Sequence, residues 1–240
     1  MDNWKQEALD SYVGSWLGDR DATVLSHGYE STNAALPWWR GQLRVNGMGF
    51  VDLSPDPTGR GASYVTRRDL FQFAEQPGLL ESDDGVLRFL WHVVWWGSGK
   101  KHSRVALKIR SFADPATRAT HLTLLRRATE FAQAGKIADA YGTLQNGGKA
   151  AIPQLGPSYF TKFLYFSTGG QTAFVIDKRT VDSLDALRCP SAPIRTPWTA
   201  QEYATYCSTL SAWADELSAA GTPCQPDELE RALFEGSASE

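Results

Sequence analysis

What is scarce in this 240-residue chain narrows its class first. Its three cysteines, Cys189, Cys207 and Cys224, are odd in number and widely spaced. That argues for free thiols in a reducing compartment and against a disulfide framework or a Cys-rich metal site. No apolar run approaches the roughly 18 residues that a membrane helix needs. The start, Met1 to Asp10, carries Asp2, Glu7 and Asp10 with no apolar stretch behind a basic beginning, so no signal peptide is expected. Of the four histidines, His92, His102 and His121 have no metal-ligand partner at useful spacing, so neither a metal nor a cofactor is expected. Strand alternation is weak throughout, and repeats and low-complexity segments are missing.

What remains describes a soluble globular protein: 42% hydrophobic and 21% charged residues, with nine tryptophans. Such a chain can bury a substantial core. The net charge of −3 hides a strong asymmetry. Residues 1–99 carry −5, residues 100–136 carry +7, residues 137–199 carry +2 and residues 200–240 carry −7. A basic middle between acidic ends suggests a polyanion-binding face. It is equally the pattern of a solvated basic face paired with the acidic C-terminus, and a pI near 5.8 is not that of a dedicated nucleic-acid binder.

Helical signals dominate. Trp4, Leu9, Tyr12, Val13, Trp16 and Leu17 have helical spacing, with Gly18 as the stop. Residues 26–64, rich in Gly, Pro, Ser and Asn around Pro37-Trp38-Trp39-Arg40, read as loop. Helices are expected from Thr66 to Gln76, Val86 to Trp96, Pro115 to Ala134, Lys136 to Leu144, Pro157 onward, Thr180 to Leu187, after the capping box Thr199-Glu202, and from Pro226 to Phe234. The fold class is therefore all-α, as one compact domain. Residues 1–85 are expected to pack as a helical and irregular region on residues 86–240.

The stretch that carries chemistry runs from Ala150 to Asp177. Pro157 suits the first position of a helix, because its fixed φ fits and its missing N–H has no helical partner there. The free N–H groups of such a helix start can hold a phosphate. Between Lys149 and Asp177 the only charged residue is Lys162, on a helix otherwise made of Tyr159, Phe160, Phe163, Leu164, Tyr165 and Phe166. A lysine buried there has a depressed pKa unless it meets a carboxylate. Asp177 follows the apolar Phe174-Val175-Ile176 and enters the next helix. On local features alone, Asp177 is a helix cap and Lys162 a structural or snorkelling lysine.

The run Leu155-Gly156-Pro157-Ser158-Tyr159-Phe160-Thr161-Lys162-Phe163-Leu164-Tyr165-Phe166, followed by Val175-Ile176-Asp177-Lys178-Arg179, resembles the helix-hairpin-helix DNA glycosylases. More closely it resembles the bacterial proteins with an 8-oxoguanine DNA glycosylase fold, as do Trp96-Gly97-Ser98-Gly99 and Pro226 to Phe234. The resemblance is sharp over residues 150–181, extends over 87–240 and is absent from the first 80 residues. It implies a hairpin at about residues 150–168 in which Gln154, Leu155, Gly156 and Ser158 meet a DNA phosphate. Asp177 matches the catalytic aspartate, which stabilises the cationic sugar of a flipped nucleotide and helps to activate a nucleophile.

The chain departs from that pattern at three points. The nucleophilic lysine of bifunctional members falls at Ser158 here, with Lys162 one helical turn later on the same face. Either Lys162 is the amine nucleophile, or water attacks and Lys162 is structural. Gln154 stands where the hairpin has its first glycine, and the four-cysteine iron–sulfur loop is absent. Trp95, Trp96, Tyr159, Trp38 and Trp39 are candidates for the base pocket, though core packing is the commoner fate of such residues. Lys100, Lys101, Arg104, Lys108 and Arg110, with Lys178 and Arg179, are candidates for phosphate contacts. The implied activity is excision of a damaged or modified base from double-stranded DNA, in repair or in defence against phage DNA. A monomer in the cytoplasm, at the nucleoid and away from membranes, is expected. The alternatives are a non-catalytic DNA-binding protein on the same scaffold and a helical interaction module.

Overall fold

The computed structural model describes residues 2–28, 35–59, 61, 63–98, 104–192 and 197–236. Its regular structure is almost all helix, as expected; among the described residues the only strands form one short hairpin, Gln145–Asn146 (β1) with Lys149–Ala150 (β2). Among the described residues, no helix is long and apolar enough to cross a membrane.

The helix α4 (Asp83–Ser98) forms the spine of the core. It is buried nearly all round, from Val86 to Trp96 apart from Arg88, because a helix apolar on every face is stable only when neighbours cover every face. Against it pack α3 (Arg67–Ala74), α6 (Pro115–Gln133) and α8 (Pro157–Ser167). Aromatic rings stitch these together: Phe89 meets Phe163 at 5.4 Å, Trp96 meets Phe166 at 5.2 Å, and Phe71 lies edge-on to both Tyr165 and Phe166. Each such pair adds about 0.5–1.5 kcal/mol beyond the area it buries. A second layer comprises α7 (Ile137–Leu144), α9 (Lys178–Ala186), α10 (Ala200–Ala219) and α11 (Pro226–Gly236). Here α7 packs on α6 and α10, and α11 packs on α9, α10 and the N-terminal turns.

One sequence expectation fails, and a second holds with a change of helical pitch. Residues 26–64 are not all irregular: Leu36–Val45 forms a helix, α2, with Leu36, Trp39 and Leu43 buried, and it packs on α5 (Val105–Arg110). Pro37 lies in its first turn, where proline starts a helix instead of breaking one. The N-terminal pattern, expected as one helix to Leu17, gives only α1 (Asn3–Ala8), then a wider π-type turn over Leu9–Val13 and a 3₁₀ turn over Gly14–Trp16. The expected capping box at Thr199–Glu202 forms, and the structure adds a second at Thr66–Asp69.

A buried polar lattice ties the chain ends to the core. The Arg20 guanidinium grips the fully buried Asp227 with two donors, at 2.9 and 2.7 Å. Tyr165 donates to the same carboxylate at 2.9 Å and accepts from Arg67 at 3.0 Å. Arg67 in turn donates to Glu230 at 2.8 Å, and both of these residues are buried. Gly170, with φ of +70°, lets the chain pass within contact of Tyr165 and Asp227; a Cβ there would press on both at 3.1–3.2 Å. The lattice pins α3, from the N-terminal part, to α8 and α11.

Candidate active site

The connection from α7 to α8 forms the hairpin, and its details follow from the residues present. Gln154 has φ of +65°, the left-handed conformation that glycine adopts without cost. The backbone therefore adopts a shape suited to glycine, and the glutamine bears the strain. Leu155 is buried and anchors the turn, its N–H bonded to the Ile152 carbonyl at 3.1 Å. Gly156 is the N-cap of α8, with Pro157 in the first turn. At this helix start lies an open cleft of about 380 Å³, lined by Gln154, Gly156, Ser158 and Tyr159 on one side and Arg104 and Lys108 on the other. Lys108 is buried, with its ammonium 4.4 Å from the centre of the Tyr159 ring, and burial followed by the charge of Arg104 lowers its pKa. First-turn N–H groups, a helix dipole and two basic residues make this a positive cleft.

One helical turn further on, Lys162 faces a different space. A cavity of about 90 Å³ is walled by Lys162, Asp177, Trp96, Gly97 and Val175, and by His27, Arg67, Glu230 and Phe234. Lys162 and Asp177 thus converge on one enclosure. The Lys162 ammonium donates to the Ser158 carbonyl at 2.7 Å. Burial lowers its pKa, opposed by the charges of Asp177 and Glu230. Room for its stem exists because residue 97 is glycine: a Cβ there would lie 2.8 Å from Lys162 Cδ.

Asp177 is both a helix cap and a cavity wall. One carboxylate oxygen, Oδ1, accepts from the Thr180 N–H at 3.1 Å and the Thr180 hydroxyl at 3.3 Å. The extended, buried segment Ala173–Ile176 delivers it. That segment needs partners for its backbone groups. Tyr203 and Tyr206 of α10 donate to the Phe174 and Val175 carbonyls at 2.8 and 2.7 Å, and the Ile176 N–H donates to Thr161 at 3.3 Å. Burial pushes both phenol pKa values well above their usual range, so both stay donors.

The remaining walls come from the chain's ends. His27 lies edge-on to Trp96 at 5.4 Å and accepts from Arg67 Nε at 3.4 Å. Burial, then the Arg67 charge, pushes its pKa down to about 2, so the imidazole is neutral. Burial disfavours the Arg67 cation, but Glu230 and Tyr165 outweigh it and raise its pKa. Phe234 is stacked under the Arg179 guanidinium at 4.1 Å.

Of the residues predicted from sequence, Lys162, Asp177 and Trp96 meet at the cavity. Trp95 does not; it is fully buried beside His92, because consecutive helical residues point about 100° apart. Trp39 is likewise in the core, and Trp38 packs against it at 5.7 Å. Tyr159, Gln154, Gly156 and Ser158 border the basic cleft with Arg104 and Lys108, and Leu155 reaches it only through its neighbours. Lys178 is exposed and paired with Asp182 within its own helix at 2.8 Å. Arg110 bonds Asn46 at 2.8 Å. Lys100, Lys101, His102 and Gly99 lie outside the described residues. Sequence reasoning missed His27, Arg67, Glu230 and Phe234. The i, i+4 spacing of Glu230 and Phe234 on an amphipathic helix was the one available signal.

A family model described as "Putative 8-oxoguanine DNA glycosylase OGG-like protein" matches residues 22–234. The chain belongs to this OGG-like family. Searches of curated proteins and of solved structures returned no match. The OGG-like span begins at Ala22, so it takes in His27 and Arg67, in the part of the chain where the sequence alone showed no resemblance.

Proposed function

We propose that this OGG-like protein is a DNA glycosylase that binds duplex DNA, extrudes a damaged or modified nucleotide and cleaves its N-glycosidic bond with Lys162 as nucleophile. The observation that carries the reading is the convergence of Lys162 and Asp177 on one cavity beside Trp96. The basic cleft at the start of α8 binds a backbone phosphate next to the lesion, a positioning contact without base readout. Extrusion is required because the bond is inaccessible within the stack.

The chemistry then follows from the two groups. The neutral Lys162 amine attacks C1′; the C1′–N bond breaks and its electron pair leaves with the base, which takes a proton. The Asp177 carboxylate stabilises positive charge on the sugar and accepts the proton lost by the amine. Opening of the sugar ring gives a Lys162 imine, and water hydrolyses it to an abasic site and free lysine. Burial favours the neutral amine, which only the unprotonated form of the side chain can supply.

Duplexes carrying 8-oxoguanine or a bulky modified pyrimidine, followed by alkaline cleavage, test excision. Borohydride should trap a covalent adduct with the wild type and none with Lys162→Gln. The trapping rate should rise with pH through a midpoint below the ordinary lysine value. Asp177→Asn should lose at least about 10²-fold of the excision rate while keeping its DNA affinity. Trapping by Lys162→Gln would remove the lysine role, and full activity of Asp177→Asn would remove the aspartate role.

A further inference from the structure

The cavity holds a charged group that the proposed chemistry does not use. Glu230 is completely buried in the wall and has one oxygen engaged: Oε2 accepts from Arg67 at 2.8 Å. Its other oxygen, Oε1, is buried with no hydrogen-bond partner among the described residues. A buried carboxylate oxygen left unpaired costs several times what a made hydrogen bond contributes. Such an atom calls for a partner, and a ligand entering the cavity can supply one. Phe234, one turn along α11, and Trp96 supply apolar ring surface on the same cavity, and a planar base needs apolar faces with a polar group at its edge.

Resting on the glycosylase reading above, we infer that Glu230 is the base-reading residue and that its free oxygen accepts an N–H from an exocyclic amino group of the extruded base. The assignment gives the substrate class: a guanine-, adenine- or cytosine-derived base that keeps its amino group. Bases with a carbonyl at that edge present a lone pair to a carboxylate and are rejected. Arg67 has a positioning role in this arrangement. Its guanidinium holds Oε2 and fixes the carboxylate, itself held by Tyr165. Burial raises the Glu230 pKa and the Arg67 charge opposes that rise.

The test compares excision rates for two matched pairs in otherwise identical duplexes: 8-oxoguanine against 8-oxohypoxanthine, and 5-hydroxymethylcytosine against 5-hydroxymethyluracil. Each pair differs at the amino group. In at least one pair the wild type should favour the amino member by about tenfold or more, since a site built to bond a polar group rejects analogues that lack it. Glu230→Gln should bring that ratio to within about threefold of one. A ratio is independent of the fraction of folded protein, and Glu230→Asp, which keeps the charge and withdraws the oxygen, should shift it in the same direction. A carboxylate that serves only to pair with Arg67 would lower thermal stability when replaced and leave the ratio unchanged. An unchanged ratio in both variants, or a wild type indifferent to the amino group, overturns the assignment while leaving the glycosylase reading intact. A wild type that excises none of the four bases counts against both readings.

Discussion

Helix α8 separates two sites of opposite character. At its start lies an open cleft where Arg104 and Lys108 face backbone groups of the hairpin. One turn later lies an enclosed cavity where Lys162 and Arg67 share walls with Asp177 and Glu230. The open cleft carries cations without a carboxylate in its lining, which suits a polyanion whose sequence does not matter. The cavity carries both signs in a partly shielded space, where an amine can be neutral and a carboxylate is worth more than in open water. On the proposed reading, sequence-independent attraction and bond-specific chemistry are divided between successive turns of one helix, and variants can separate them.

The largest expected effect breaks the cavity side alone. Arg67→Ala leaves Glu230 as an unpaired buried charge and should destabilise the fold by about 3–5 kcal/mol, measured by denaturant unfolding. Gly97→Ala should leave stability nearly unchanged, since the flexible Lys162 stem yields to the new methyl group. It moves the amine, however, so borohydride trapping should slow by about tenfold or more with DNA affinity unaltered. If trapping is as fast as in the wild type, the packing of Gly97 against Lys162 does not matter to chemistry. At the start of α8, Lys108→Ala should weaken DNA binding severalfold for every sequence and reduce the salt slope of log K by about one. Excision at saturating DNA should not change, and an unchanged slope would remove Lys108 from the interface. The smallest effect sharpens the hairpin itself: Gln154→Gly relieves a left-handed side-chain residue and should stabilise the protein by up to about 1 kcal/mol, offset in part by greater freedom of the unfolded chain. A loss of stability would mean that the Gln154 side chain makes up for its backbone.

Much of the cavity was legible locally. Lys162 stood out as the one charge in a long apolar stretch, and Asp177 as an acid between an apolar run and a helix start. Periodicity located most helices, including the start at Thr66, and the capping box at Thr199 marked a helix start that four residues specify. The failures have physical causes. Pro37 was read as a loop marker, yet it sits in a first helical turn where Trp39 and Leu43 decide the outcome by burial. Trp95 and Trp96 were indistinguishable in sequence; packing against His92 or Phe166 sent one into the core and the other to the cavity.

The sequence by itself determined the all-helical class, the hairpin and helix start at Pro157, and the pair of residues that carry the proposed reaction. Local backbone preferences and a 3.6-residue period act over a few neighbours, and a chain shows them without folding. Only the tertiary structure decided that His27 and Arg67 reach the same enclosure as Glu230, more than 160 positions away, and that two tyrosines from α10 hold the buried segment that ends in Asp177. Contacts between distant segments depend on how whole helices pack, and no window of sequence contains both partners.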